Sequence, residues 1–251
     1  MTFPMIALLQ AGYYAEPHAA RYDAATMGMF VLIIAIGVIG FIVQARLQSV
    51  FKKYSKVQFP GGLTGAEVAE KMLRDNNIHN VKVTHVGGHL TDHFNPQTMT
   101  VNLSDSVYSS SSVAAAAVAA HECGHAVQHA HAYAPLKMRS SLVPVISFAS
   151  NWMMWVLLIG MFTLNVFPQI MLFGIILFAA TTLFSFITLP VEIDASRRAV
   201  KWLSEAGVTN NRNYGPAVSA LRSAAYTYVV AALGSLATLL YYIMIFLGRR
   251  D

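Results

Sequence analysis

Five consecutive residues, His121-Glu122-Cys123-Gly124-His125, carry the densest chemistry in this chain. The preceding Val113–Val118 is small, apolar and Ala-rich, which favours helix. On a helix, residues four apart share a face, so His121 and His125 can present two imidazoles to one cation. Glu122 sits at the edge of that face, where its carboxylate can serve as general base toward a water that the metal activates. This is the physical content of the HExxH pattern, and zinc is the ion it suits. In a chain of 251 residues with 9 histidines, chance would supply such a pentapeptide roughly once in a hundred sequences. The bland alternative is two helix-surface histidines with no metal.

Two imidazoles leave the site incomplete, because a catalytic zinc usually has three protein ligands and one open position. His129 lies about 12 Å further along the same helix, and His131 about 15 Å. His131 has the spacing of the longer HExxHxxGxxH pattern, but Gln128 stands where that pattern breaks the helix with glycine. Both histidines also read as part of a polar stretch at a membrane surface. Glu192 follows Leu189-Pro190-Val191 at the end of a long uncharged run. A carboxylate there is costly unless paired or liganded; the competing reading is an acid favoured by the dipole of a helix beginning at that point. The expected set is one zinc on His121, His125 and Glu192. Cys123 lies about 200° around the helix from His121 and reads as a small packing residue. His85, His89 and His93 form a loose cluster that could instead complete a closed, structural site.

The elements that must hold these residues are apolar. Hydrophobic residues make up 55% of the chain and charged residues 12%, where a soluble domain carries about 25% charged. That excludes disorder and argues against an ordinary soluble enzyme. The net charge of +5 is read as basic loops facing anionic lipid rather than nucleic acid. A single cysteine excludes an internal disulfide. Three stretches lack any Asp, Glu, Lys or Arg: 24–45, 140–191 and 223–248. A membrane-crossing helix needs about 20 apolar residues. Four spans follow, at 25–45, 143–165, 169–190 and 225–247, with Pro168 in the turn between the second and third. Buried core helices of a soluble protein are the alternative.

Residues 1–24 read as an interfacial or extra-membranous segment. Met1–Gln10 is apolar but short and has no basic residue before it, so it lacks the signal-peptide pattern, and the first span reads as a retained anchor. Lys and Arg near span ends set orientation. Arg46, Lys52, Lys53 and Lys56 follow the first span; Lys137 and Arg139 precede the second; Arg197, Arg198 and Lys201 follow the third; Arg222 precedes the fourth. Only Arg21 precedes the first span. Segments 46–142 and 191–224 are therefore expected on the cytoplasmic side, with both termini outside; Arg249 and Arg250 count against this.

Within 46–142, Thr64-Gly-Ala-Glu67 has the form of a capping box and predicts a helix over 64–75. Val81–Val86 and Thr98–Leu103 alternate apolar and polar as half-buried strands do, with turns at Gly87-Gly88 and Asn95-Pro96. Ser112 can cap the helix that carries the histidines.

Three blocks now resemble a family: Ala120-His-Glu-Cys-Gly-His-Ala-Val-Gln-His-Ala130, Gly88-His-Leu-Thr-Asp-His-Phe-Asn-Pro96 and Leu189-Pro-Val-Glu-Ile-Asp-Ala-Ser-Arg-Arg-Ala199. In order and type they are similar to the YugP-like membrane zinc metallopeptidases, over roughly Gly61 to Leu247. The last block also resembles the glutamate-zincin proteases of the HtpX and CAAX-protease type. There the ligand Glu is followed four residues later by an Asp that orients a metal histidine. Here Glu192 matches the Glu, but Ser196 stands at the Asp position, and Asp194 lies on the wrong face to replace it simply. The resemblance implies a mainly α, polytopic membrane protein with about four transmembrane helices and a small α+β, zincin-like soluble segment carrying the HExxH helix.

The expected divisions are 1–24, the span 25–45, the cytoplasmic segment 46–142, the hairpin of spans 143–190, a third-ligand helix within 191–224 and the span 225–247. The expected activity is that of a membrane-embedded zinc endopeptidase, a hydrolase cutting peptide or protein substrates with Glu122 as base. Strand 98–103 could bind substrate as an added β-strand. Arg197, Arg198, Tyr226 and Tyr228 are the open set of candidate oxyanion stabilisers. A non-catalytic scaffold with a structural zinc is the rival. A metal transporter is disfavoured, because the spans hold no His or acid. Nothing in the sequence indicates an oligomeric state.

Overall fold

The computed structural model describes residues 4–88, 90–209 and 212–248, and the side chains of these except 4–23, 25 and 60. The side chains of Met1–Gln10, read as interfacial, fall outside the described residues, as do His89 of the histidine cluster, Arg249 and Arg250. The elements in chain order are α1 (Pro4–Tyr54), a short 3-10 turn (Pro60–Gly62), α2 (Gly65–Asp75), β1 (Lys82–Val86), β2 (His93–Asn95), β3 (Thr100–Ser104), α3 (Asp105–Tyr108), α4 (Val113–Ala130), α5 (Ala134–Thr163), α6 (Pro168–Glu205) and α7 (Tyr214–Gly248).

Four helical stretches are long and apolar enough to cross a membrane: Thr26–Tyr54, Ala134–Thr163, Pro168–Glu205 and Tyr214–Gly248. They match the four expected spans in number and order. They also overrun them, since about 20 residues suffice for a bilayer and α6 alone has 38. Pro168 opens α6, at the first helical position, where a missing N–H costs nothing.

Pro190 does not end a helix. The expectation of a separate third-ligand helix starting after it is wrong: Glu192 lies inside α6. An interior proline removes one backbone bond and costs about 3 kcal/mol or more. Here Val191, Ala195, Ala199 and Leu203, four residues apart, are all fully buried. The burial of that stripe offsets the lost bond and keeps the helix continuous.

The chain divides into two compact units. The first comprises Met1–Ile39, Ser147–Thr182 and Leu233–Asp251. Its small core is Leu157, Leu164, Met171, Ile175 and Leu239. A Cβ added at Gly160 would lie 2.6 Å from Met171 Cα, so α5 and α6 pack there with no side chain between them. Large apolar side chains such as Phe30, Trp152, Trp155, Phe162 and Phe173 are exposed, which is the pattern of a surface facing lipid.

The second unit comprises Gly40–Ile146 and Leu183–Ala232 and holds the larger core, which includes Phe59, Met72, Leu103, Val113, Cys123 and Leu203. The capping box forms as expected: Thr64 accepts from the Glu67 N–H, and the Glu67 carboxylate accepts from the Thr64 N–H. The Ser112 hydroxyl accepts the Ala115 N–H at 3.2 Å and caps α4. β1 runs parallel to β3 from Lys82↔Thr100 to Val86↔Ser104, and β2 runs antiparallel to β3 from His93↔Asn102 to Asn95↔Thr100. The sheet order is β1-β3-β2. This corrects the expected role of 98–103: β3 is paired on both sides and has no free edge to receive a substrate strand. Three-residue β2, which alternation over so short a run does not reveal, is an edge strand, as is β1 on the other side.

Candidate metal centre

The site lies wholly in the second unit. It depends on how closely α4 and α6 cross. A Cβ added at Gly124 would lie 2.5 Å from the Ala195 carbonyl oxygen, so only glycine permits the approach. Glu192 is three residues before Ala195, and the approach sets its carboxylate against the face of α4 that carries His121 and His125. Glu192 Oε2 is 3.2 Å from His121 Nε2 and 3.6 Å from His125 Nε2. The ligand atoms of these three residues lie within 4.8 Å of one another. Among the described residues they are the group of histidines, cysteines and acids placed to hold one metal ion.

The donor chemistry fits zinc. Two imidazole nitrogens and one carboxylate oxygen converge, which is the three-ligand, N/O set of a catalytic zinc with a fourth position open. Each imidazole also has its other nitrogen engaged: His121 Nδ1 is 3.1 Å from Ser196 Oγ, and His125 Nδ1 is 3.0 Å from Gln128 Oε1. Burial alone would lower the His125 pKa, but the Glu192 carboxylate, the Glu122 charge and the Gln128 acceptor together hold it above the ordinary imidazole value. The cluster thus calls for a cation, which a proton or a metal ion supplies.

Glu122 stands apart from the ligand group. Its Oε2 accepts the backbone N–H of Phe94 in β2 at 3.1 Å, so the edge strand orients the carboxylate. Ligands and Glu122 line one cavity of about 180 Å³ together with Asp92, His93, Phe94, Arg139 and Tyr228.

The remaining sequence candidates separate clearly. His129 packs its ring on Phe94 and His131 Nδ1 bonds the Val127 carbonyl; neither joins the cluster. Cys123 faces the core, its thiol 3.5 Å from the Ala69 carbonyl, and burial pushes its pKa well above the usual range. It stays a neutral packing group. His85 pairs with Asp105. His93 Nδ1 meets the Thr91 carbonyl at 2.8 Å and its Nε2 meets Asn102 Nδ2 at 3.1 Å. A carbonyl only accepts, so Nδ1 donates and Nε2 accepts from the amide; no lone pair is left for a metal, and His93 does not close the site. Of the four oxyanion candidates, Tyr228 lines the cavity, whereas Tyr226 pairs with Arg222, Arg198 pairs with Asp194, and Arg197 is exposed.

Two contributors escaped the sequence reading. Arg139, used there only to orient the membrane spans, places its guanidinium 3.6 Å from Glu192 Oε1. Gln128, noted only as a missing glycine, is fully buried beside His125. Asp194 needs correction as well. It does lie off the ligand face, yet its carboxylate reaches the site through the Gln128 amide at 2.9 Å.

Residues 29–247 match a family described as "Putative neutral zinc metallopeptidase". The chain is also 43% identical over 225 residues to a Bacillus subtilis (strain 168) protein named "Putative membrane protease YugP", covering 89% of this chain and 98% of that protein. No solved structure matches the chain at comparable significance.

Proposed function

Because the chain belongs to the neutral zinc metallopeptidase family, we propose that it is a membrane-embedded, zinc-dependent endopeptidase of the HExxH, glutamate-liganded type. The observation that carries this reading is the convergence of His121, His125 and Glu192 on a cavity that Glu122 also lines. One zinc ion held by those three residues would polarise a scissile carbonyl and acidify a water. Glu122, held by the Phe94 N–H, accepts the water's proton and returns it to the leaving amine. Arg139 holds the second oxygen of Glu192, keeping Oε2 turned toward the histidines. Tyr228 is the oxyanion donor this geometry favours, since its side chain lines the same cavity. The substrate backbone lies along the edge of β2 that β3 does not pair, beside Glu122.

Protein purified in detergent is expected to cleave casein or a peptide library, to lose that activity with a chelator, and to regain it on adding zinc. Cleavage that is indifferent to the chelator would defeat the reading.

Four apolar helices and a relative named as a membrane protease support a membrane location. The lysines and arginines around the spans favour a cytoplasmic site. Single cysteines placed at Lys56 and Lys201 should then be labelled from the same side of oriented vesicles, the cytoplasmic one. Labelling from opposite sides would break this topology.

A further inference from the structure

Gln128 is wholly buried, three residues after His125, and neither metal ligation nor base catalysis accounts for it. Its Nε2 donates to the Val191 carbonyl at 2.8 Å and to Asp194 Oδ2 at 2.9 Å. Both partners only accept, so the nitrogen end of the amide is fixed there. Its oxygen end must then face His125 Nδ1, at 3.0 Å. An amide oxygen accepts and never donates. Nδ1 therefore carries a proton, and the ligating lone pair belongs to Nε2, the atom turned toward Glu192. Asp194 is held in its turn by Arg198 Nε at 2.6 Å. The partner of His121 is of another kind: the Ser196 hydroxyl both donates and accepts, so it selects no tautomer.

We propose that Gln128 and Asp194 are positioning residues for the metal centre, with Gln128 relaying the Asp194 carboxylate to His125. The proposal rests on the zinc reading above. A carboxylate bonded directly to His125 would fix the same tautomer. It would also add a third negative charge beside Glu122 and Glu192. A neutral amide between acid and imidazole fixes the ring and its proton while keeping that charge one side chain away. The relay is the counterpart of the acid contact that the second motif lacks at Ser196. It joins Gln128 of α4 to Asp194 of α6 and serves the other histidine.

The test is zinc affinity, measured by chelator competition on full-length protein in detergent, with circular dichroism and thermal melting to follow the fold. Gln128→Met keeps the side chain's length and removes both hydrogen-bonding ends. It should weaken zinc about 10–100-fold, the usual effect of losing a group that orients a metal ligand. Asp194→Asn can still accept from Gln128 but loses the charge, and should weaken zinc less. The two effects should not add: once Gln128 is gone, Asp194→Asn should change affinity little further, because the hydrogen-bonded path from Asp194 to His125 is broken. Trp202→Phe, which removes the bond from Trp202 Nε1 to Asp75 in the same unit, should lower the melting temperature and leave zinc affinity unchanged. Wild-type affinity in folded Gln128→Met, or additive losses in the double variant, would overturn the relay. If Gln128→Met does not fold, unchanged affinity in Asp194→Asn overturns it alone. A wild-type protein that binds no zinc would remove the zinc reading and the relay together; zinc on the wild type with unaffected variants would remove only the relay.

Discussion

Glu122→Gln is expected to keep zinc at wild-type stoichiometry and to lose turnover by about 10²–10⁴-fold, the usual contribution of a general base. Glutamine preserves the side chain's length, and its amide oxygen can still accept the Phe94 N–H that Glu122 accepts at 3.1 Å. The geometry of the cavity is therefore retained. What disappears is a carboxylate able to take a proton from water. The histidines and Glu192 keep their partners, so metal content is the internal control. Wild-type turnover in a zinc-loaded Glu122→Gln protein would show that another group is the base, and no other acid lining the cavity is free for it: Asp92 is held by the Ser104 N–H and hydroxyl at 2.7 and 3.0 Å.

What the sequence made legible divides along physical lines. Local features with a fixed period were readable. The uncharged stretches are continuous runs of chain, and the capping box at Thr64 and the i, i+4 histidine pair each depend on residues within one or two helical turns. Glu192 was readable for a different reason: an acid at the end of 52 uncharged residues is expensive without a partner, and the structure supplies His121, His125 and Arg139. Continuity of α6 through Pro190 was not readable. Local rules set the proline's cost, whereas the offsetting burial of Val191, Ala195, Ala199 and Leu203 is a tertiary effect. Strand order was hidden for the same reason. Alternation marks Thr98–Leu103 as a strand but cannot say whether its edges are free. Gln128 was the least visible of all, because a buried glutamine in a helix announces nothing until its two acceptors arrive from another helix. A sequence signal did exist: Gln128 is three residues from His125, close enough on a helix to touch it.

Glu192→Ala is expected to separate from Glu122→Gln in the opposite sense: zinc is lost, and activity with it. Groups that merely orient a ligand cost 10–100-fold in metal affinity, so removing one of three ligands should weaken zinc by more than about 100-fold. The variant should also be less stable. Glu192 is almost wholly buried, and its carboxylate is the shared partner of His121, His125 and Arg139. Deleting it leaves cationic and polar groups facing one another in a buried space, and breaking a buried pair commonly costs about 3–5 kcal/mol. Two effects must then be told apart, loss of a ligand and loss of the fold. Glu192→Gln does so. It retains volume and can still accept from Arg139, but it is a poor ligand, because an amide oxygen carries no charge to match the cation. The expected result is a protein with near wild-type circular dichroism and melting, a zinc affinity well below wild type, and no activity at zinc concentrations that saturate the native chain. Full zinc occupancy in both variants would dismiss Glu192 as a ligand and leave the two histidines in search of a third.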